Sequence, residues 1–119
     1  MTLPDLRIKE GVILRSAHLR PHMTDIIVAA LRYAPEMKGN EVWITSAKRR
    51  PAEKTKSKHP MCGAFDFRCK NILAADRAAL VNRANEWAAD IKKSLGSDYD
   101  VIAHGDGDNF HVHAEFDPK

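Results

Sequence analysis

The chain has 119 residues, 44% of them hydrophobic and 29% charged, with a formal net charge of +3. That composition excludes a disordered chain, and the length suits one domain spanning 1–119 rather than two. No apolar run approaches the roughly 20 residues of a membrane span, and the first residues, MTLPDLRIKEGV, lack the apolar core of a secretory signal. The expected location is therefore the cytoplasm as synthesised, with no membrane partner.

In chain order, residues 1–19 give no clear element, though Val12, Ile13 and Leu14 suit a short strand. A helix is predicted from about Thr24 to Tyr33, with Thr24 as cap and Ile27, Ala30 and Leu31 as its apolar stripe. Pro35, Gly39 and Asn40 break the chain, and Glu41 to Ala47 (EVWITSA) is rich in strand-forming residues. Residues 48–61 are polar, basic and contain two prolines, so they read as a long loop. Gly63 to Arg68 reads as a strand with Phe65 and Phe67 on one face and Ala64, Asp66 and Arg68 on the other.

A long helix is predicted from about Ala74 to Leu95, where Leu80, Ala84, Trp87, Ala88, Ile91 and Leu95 keep helical spacing before Gly96 stops it. Tyr99 to His104 reads as a strand, GDGDN as a turn, and Phe110 to Phe116 (FHVHAEF) as the returning strand of a hairpin. This order of elements predicts an α+β fold, an antiparallel sheet with helices packed on one side.

The alternation in FHVHAEF puts His111, His113 and Glu115 on one face of the strand. Two imidazoles two residues apart can aim at one point, and imidazole suits zinc. Asp66 is an acid in a strand otherwise made of Ala and Phe, where a carboxylate needs a partner. His59 precedes it by seven residues. His59, Asp66 and His113 would give zinc three ligands and one open position, the count of a catalytic site. Cys62 as a fourth ligand would close the site and make it structural. Cys62 and Cys69 otherwise read as reduced thiols of a cytoplasmic protein.

These residues match a family. SKHPMCGAFD at 57–66 resembles the S-x-H-x-x-G-x-A-x-D motif of the D-alanyl-D-alanine peptidases and hedgehog-fold zinc proteins, with Ser57, His59, Ala64 and Asp66 on the motif. The motif glycine falls on Cys62, and the glycine here is Gly63. TSAKR at 45–49 looks like the family's S-G-Y-R, with Ser46 and Arg49 matching and Ala47 and Lys48 departing from it. HVH at 111–113 is similar to the H-x-H motif, whose second histidine is the third zinc ligand. Some relatives carry a catalytic Glu three residues before that ligand, where this chain has Phe110.

The resemblance implies a hedgehog/DD-peptidase-like fold and a zinc-dependent peptidase acting on peptidoglycan stem peptides. It would act as a carboxypeptidase or endopeptidase, with a phage-type lysis enzyme as one form of it, and as a monomer without a nucleic-acid partner. It assigns zinc to His59, Asp66 and His113, the acid–base or oxyanion-stabilising role to His111, and a substrate hydrogen bond to Ser57. Arg49, planar and always charged, suits a substrate carboxylate or the developing oxyanion. His104, Asp106 and Asp108 are near enough to substitute for His111, although Gly and Asp are also what a hairpin turn uses. Glu115 suits a partner that orients His113, or a solvated carboxylate.

Two other readings fit parts of the pattern. A non-catalytic zinc-binding module of the same fold would explain the missing Glu and displaced Gly. A DNA nickase would use histidine–hydrophobe–histidine with Tyr33 or Tyr99 as nucleophile, but it leaves His59 and Asp66 unused.

Overall fold

The computed structural model describes residues 2–49 and 63–118, with Arg49 described through its backbone alone. The chain is α+β. Its strands are β1 (Asp5–Ile8), β2 (Glu41–Arg49), β3 (Gly63–Arg68), β4 (Tyr99–His104) and β5 (His111–Phe116), and its helices are α1 (Pro21–Tyr33) and α2 (Arg77–Leu95). The sheet runs in the order β1-β2-β3-β5-β4.

The sheet is mixed, which corrects the expectation of an antiparallel one. β1 pairs with β2 in parallel, Asp5 opposite Glu41 through Ile8 opposite Ile44, while every other pairing is antiparallel. A parallel pair needs a long crossover, and α1 supplies it. Val12 and Leu14 are not in a strand; they pack partly buried against the core while the strand lies earlier, at 5–8. β1 escapes sequence reading because it has four residues, three of them exposed, and so carries no alternation signal.

α1 also begins earlier than predicted. Pro21 takes its first position, where a missing N–H costs nothing and a fixed φ helps. The Thr24 hydroxyl then donates to the Pro21 carbonyl at 3.2 Å, inside the helix, instead of capping it. α2 begins later, because the Asp76 side chain accepts from the Ala79 N–H at 2.9 Å and so caps the helix there. Gly96 ends it with φ +96°.

Both helices cover the same face of the sheet. Met23, Ile26 and Ala30 of α1 and Ala84, Trp87 and Ile91 of α2 share one core with Phe65, Phe67, Val112 and Ala114. The Trp87 indole N–H donates to the Ala30 carbonyl at 3.0 Å, tying the helices together. The other face of the sheet carries Asp66, Arg68, His111 and His113.

Cys69 lies just after β3, fully buried, and burial pushes its thiol up to about 12. A thiol that cannot ionise is neither a nucleophile nor a metal ligand. In a Cys62→Ser chain, Cys69 is therefore expected to resist a thiol-specific reagent at pH 8 and to react stoichiometrically once denatured. Rapid labelling of the folded chain would contradict its placement in the core.

Candidate metal centre on the open face of the sheet

Three strands build the site by register. β3 and β5 pair so that Asp66 lies opposite His113 and Arg68 opposite His111. β4 and β5 pair so that His104 lies opposite His111 and Ile102 opposite His113. Side chains directly opposite share a face, so one patch of the open face collects Asp66, His104, His111 and His113.

The closest contact is between Asp66 and His113. Nδ1 of His113 lies 2.7 Å from Oδ1 of Asp66, and its Nε2 lies 3.1 Å from Oε1 of Glu115. Carboxylates only accept, so both ring nitrogens donate and the geometry suits an imidazolium. Burial pushes the Asp66 carboxyl up, but the hydrogen bond from His113, the nearby His111 and Lys48 outweigh it and hold it below its ordinary value. The Asp66 hydrogen bond in turn raises His113 against burial, with Glu115 assisting. Glu115 is only 5% exposed, so it is an orienting partner of His113 and not a solvated carboxylate.

His111 is held differently. Its Nδ1 donates to the Asn109 carbonyl at 2.6 Å, which points Nε2 toward Oδ1 of Asp66 at 3.7 Å. The carbonyl is in place because Gly105, at φ +112°, lets the β4–β5 connection fold back: a Cβ there would stand 2.6 Å from the Asn109 oxygen. The His104 ring centroid lies 4.5 Å from that of His111, and ligand atoms of His104, His111 and His113 all lie within 4.8 Å of one another. Burial and the two neighbouring imidazoles lower the His104 pKa, with Asp66 opposing.

His104, His111 and His113 form a donor set able to hold a metal ion. An imidazole whose Nδ1–H is fixed by a carbonyl, and another backed by a carboxylate, are the usual arrangement around ligating histidines.

Of the residues singled out in the sequence, the fold brings Asp66, His111 and His113 together. Ser57, His59 and Cys62 lie outside the described residues. Arg49 ends β2 opposite Gly63, and only its backbone is described. His104 joins the group, while Asp106 and Asp108 are exposed in the turn.

The phenol of Tyr99 donates to the His22 carbonyl at 3.0 Å on the covered side of the sheet. Tyr33 ends α1 on that same side. Neither is among the side chains grouped with His111 and His113. No described helix is long and apolar enough to cross a membrane.

Sequence reasoning missed three supports of the site. One is the Asn109 carbonyl. Another is the stacking of the Arg68 guanidinium on Trp43, 4.7 Å from the ring centroid. The third is His18, 2% exposed, which accepts from the Arg15 N–H at 2.9 Å and donates to the Lys48 carbonyl at 3.1 Å. Only Trp43 and Arg68 left a sequence signal, as a strand tryptophan and a strand cation. Comparison with protein-family profiles, with curated proteins and with solved structures finds no match.

The Asp66–His113 contact sets a pH window. The Asp66 contribution is complete above the ordinary carboxylate pKa near 4 and is lost as pH falls through its lowered value. The His113 contribution is complete below about 6.5 and is lost as pH rises through its raised value. Melting temperatures of chelator-treated protein should therefore be highest between about pH 4 and 6.5. Asp66→Asn should flatten both limbs, and an unchanged profile in that variant would show that the contact does not contribute.

Proposed function

We propose that the chain is a zinc-dependent peptidase that hydrolyses amide bonds in peptidoglycan stem peptides. The observation that carries this reading is the convergence of Asp66 and His113, with His111 beside them, on one open patch of the sheet. The order of the motifs supports it: Ser57, His59 and Asp66 in one, His111 and His113 in the other.

On this reading His59, Asp66 and His113 hold the metal. Bound zinc would supply a water that ionises near neutral pH and a Lewis acid for the scissile carbonyl. Glu115 holds the His113 ring in place. His111, its Nδ1 committed to Asn109, offers Nε2 to take a proton and pass it to the leaving amine. Arg49 receives a substrate carboxylate or the oxyanion, and Ser57 hydrogen-bonds the peptide.

A second reading has its own observation, the mutual approach of His104, His111 and His113. Three imidazoles would also bind zinc with an open position, but they would remove His111 from proton transfer.

Zinc content and peptidoglycan hydrolysis of alanine variants separate the readings. His59→Ala, Asp66→Ala and His113→Ala should each lose both zinc and activity. His111→Ala should keep zinc and lose turnover by about a hundredfold or more, and His104→Ala should keep both. If His104→Ala and His111→Ala shed zinc while His59→Ala keeps it, the three-histidine site is the real one. Intact zinc with no released peptide in the unmodified chain would favour a non-catalytic module.

A further inference from the structure

Beside the candidate metal centre lies a pocket of about 410 Å³, within the usual range for ligand sites. Its lining includes Asp66, His111 and Ser46 together with three cations, Lys9, Arg68 and Lys70. The assigned chemistry leaves those three cations unused.

Arg68 is half-buried and pre-oriented. Its guanidinium rests on the Trp43 ring at 4.7 Å, and the ring is fixed in turn because its indole N–H donates to Glu41 at 3.0 Å. Arg7 binds the other oxygen of the Glu41 carboxylate at 3.2 Å. Among the described residues no carboxylate pairs with Arg68, so stacking holds the group while its in-plane donors stay available. Asp66 also lines the pocket, but His113 already occupies its carboxylate at 2.7 Å. Among the described lining residues Asp108 is the one further acid beside three cations.

We propose that this pocket is a carboxylate subsite, in which the Arg68 fork, with Lys9 and Lys70 at the rim, takes an acidic group of a peptide. The proposal rests on the peptidase reading for the identity of that peptide. Arg68 stands two residues from Asp66 on the same face of β3, about 7 Å along the strand. An extended peptide covers that distance in about two residues. The recognised carboxylate therefore belongs one or two residues from the bond that is cut. This site differs from the one assigned to Arg49, which lies at the far end of β2 next to Gly63.

The test uses the full zinc-supplemented chain and synthetic stem peptides with one carboxylate amidated at a time. Binding is followed by NMR through the Trp43 indole resonance, assigned with Trp43→Phe, and the same samples are assayed for released products. Amidating one particular carboxylate should weaken binding about tenfold, the loss of one charge-assisted pair. Arg68→Gln should bind the free acid about tenfold more weakly and no longer distinguish it from that amide. Lys70→Gln, at an exposed position, should show the same trend to a smaller degree without endangering the fold.

A ratio of acid to amide that survives Arg68→Gln overturns the subsite, as does an unmodified chain that binds every amide as well as the acid. Arg68-dependent discrimination without released product keeps the subsite and removes the peptidase reading. Product release that ignores Arg68 does the reverse.

Discussion

A carboxylate and an imidazole meeting across two strands at 2.7 Å is the contact on which the open face depends. Asp66 belongs to a strand whose neighbours in sequence, Phe65 and Phe67, are fully buried on the opposite face. Those two rings fix the register of β3, because a slip of one residue would place both in water and Asp66 in the core. On β5, Val112 and Ala114 do the same for His113. Core packing on one face thus determines which polar groups meet on the other, and the cost of desolvating Asp66 is offset by a partner that the same packing delivers.

β2 shows how the sheet extends this patch beyond two strands. Ile44 lies opposite Phe67, but Ser46 lies opposite Asp66, so β2 carries one extra residue at Thr45. Simple alternation from Ile44 would turn Ser46 and Lys48 toward the helices. The bulge reverses that: Ser46 and Lys48 face the open side, and Ala47 packs against the core opposite Phe65. It keeps a hydroxyl and a lysine beside the site where β2 would otherwise have buried them. His18 braces the same stretch from below through the Lys48 carbonyl.

Most of this was legible wherever a residue's role follows from period. β3, β5 and α2 are strongly patterned, and the grouping of Asp66, His111 and His113 follows from alternation plus the pairing of two strands. Glu115 was open between two roles, and only burial decided it. What stayed hidden depends on contacts between elements remote in sequence. β1 is too short to show a pattern, so the parallel pairing that makes the sheet mixed left no trace. The start of α1 turned on Pro21 outcompeting Thr24, both of which are acceptable start signals. The stacking of Arg68 on Trp43 joins residues 25 positions apart through register alone. The bulge at Thr45 has no sequence mark, since Thr is as common in a regular strand as in a bulged one.

The two histidines of β5 show how one strand makes two kinds of group. His111 and His113 share a face, a chemistry and neighbouring pleats. His113 sits over the middle of the sheet with a carboxylate at each ring nitrogen, an environment that stabilises a positive charge on the ring. His111 sits at the strand's start, where its neighbour is a turn rather than another carboxylate. That turn folds back at Gly105, and the Asn109 carbonyl it presents is a neutral acceptor. That acceptor orients the ring and leaves its second nitrogen directed at the Asp66–His113 pair. The different surroundings of the two rings thus arise from the end of the hairpin, not from the strand sequence. A glycine in the turn decides them as much as the histidines do.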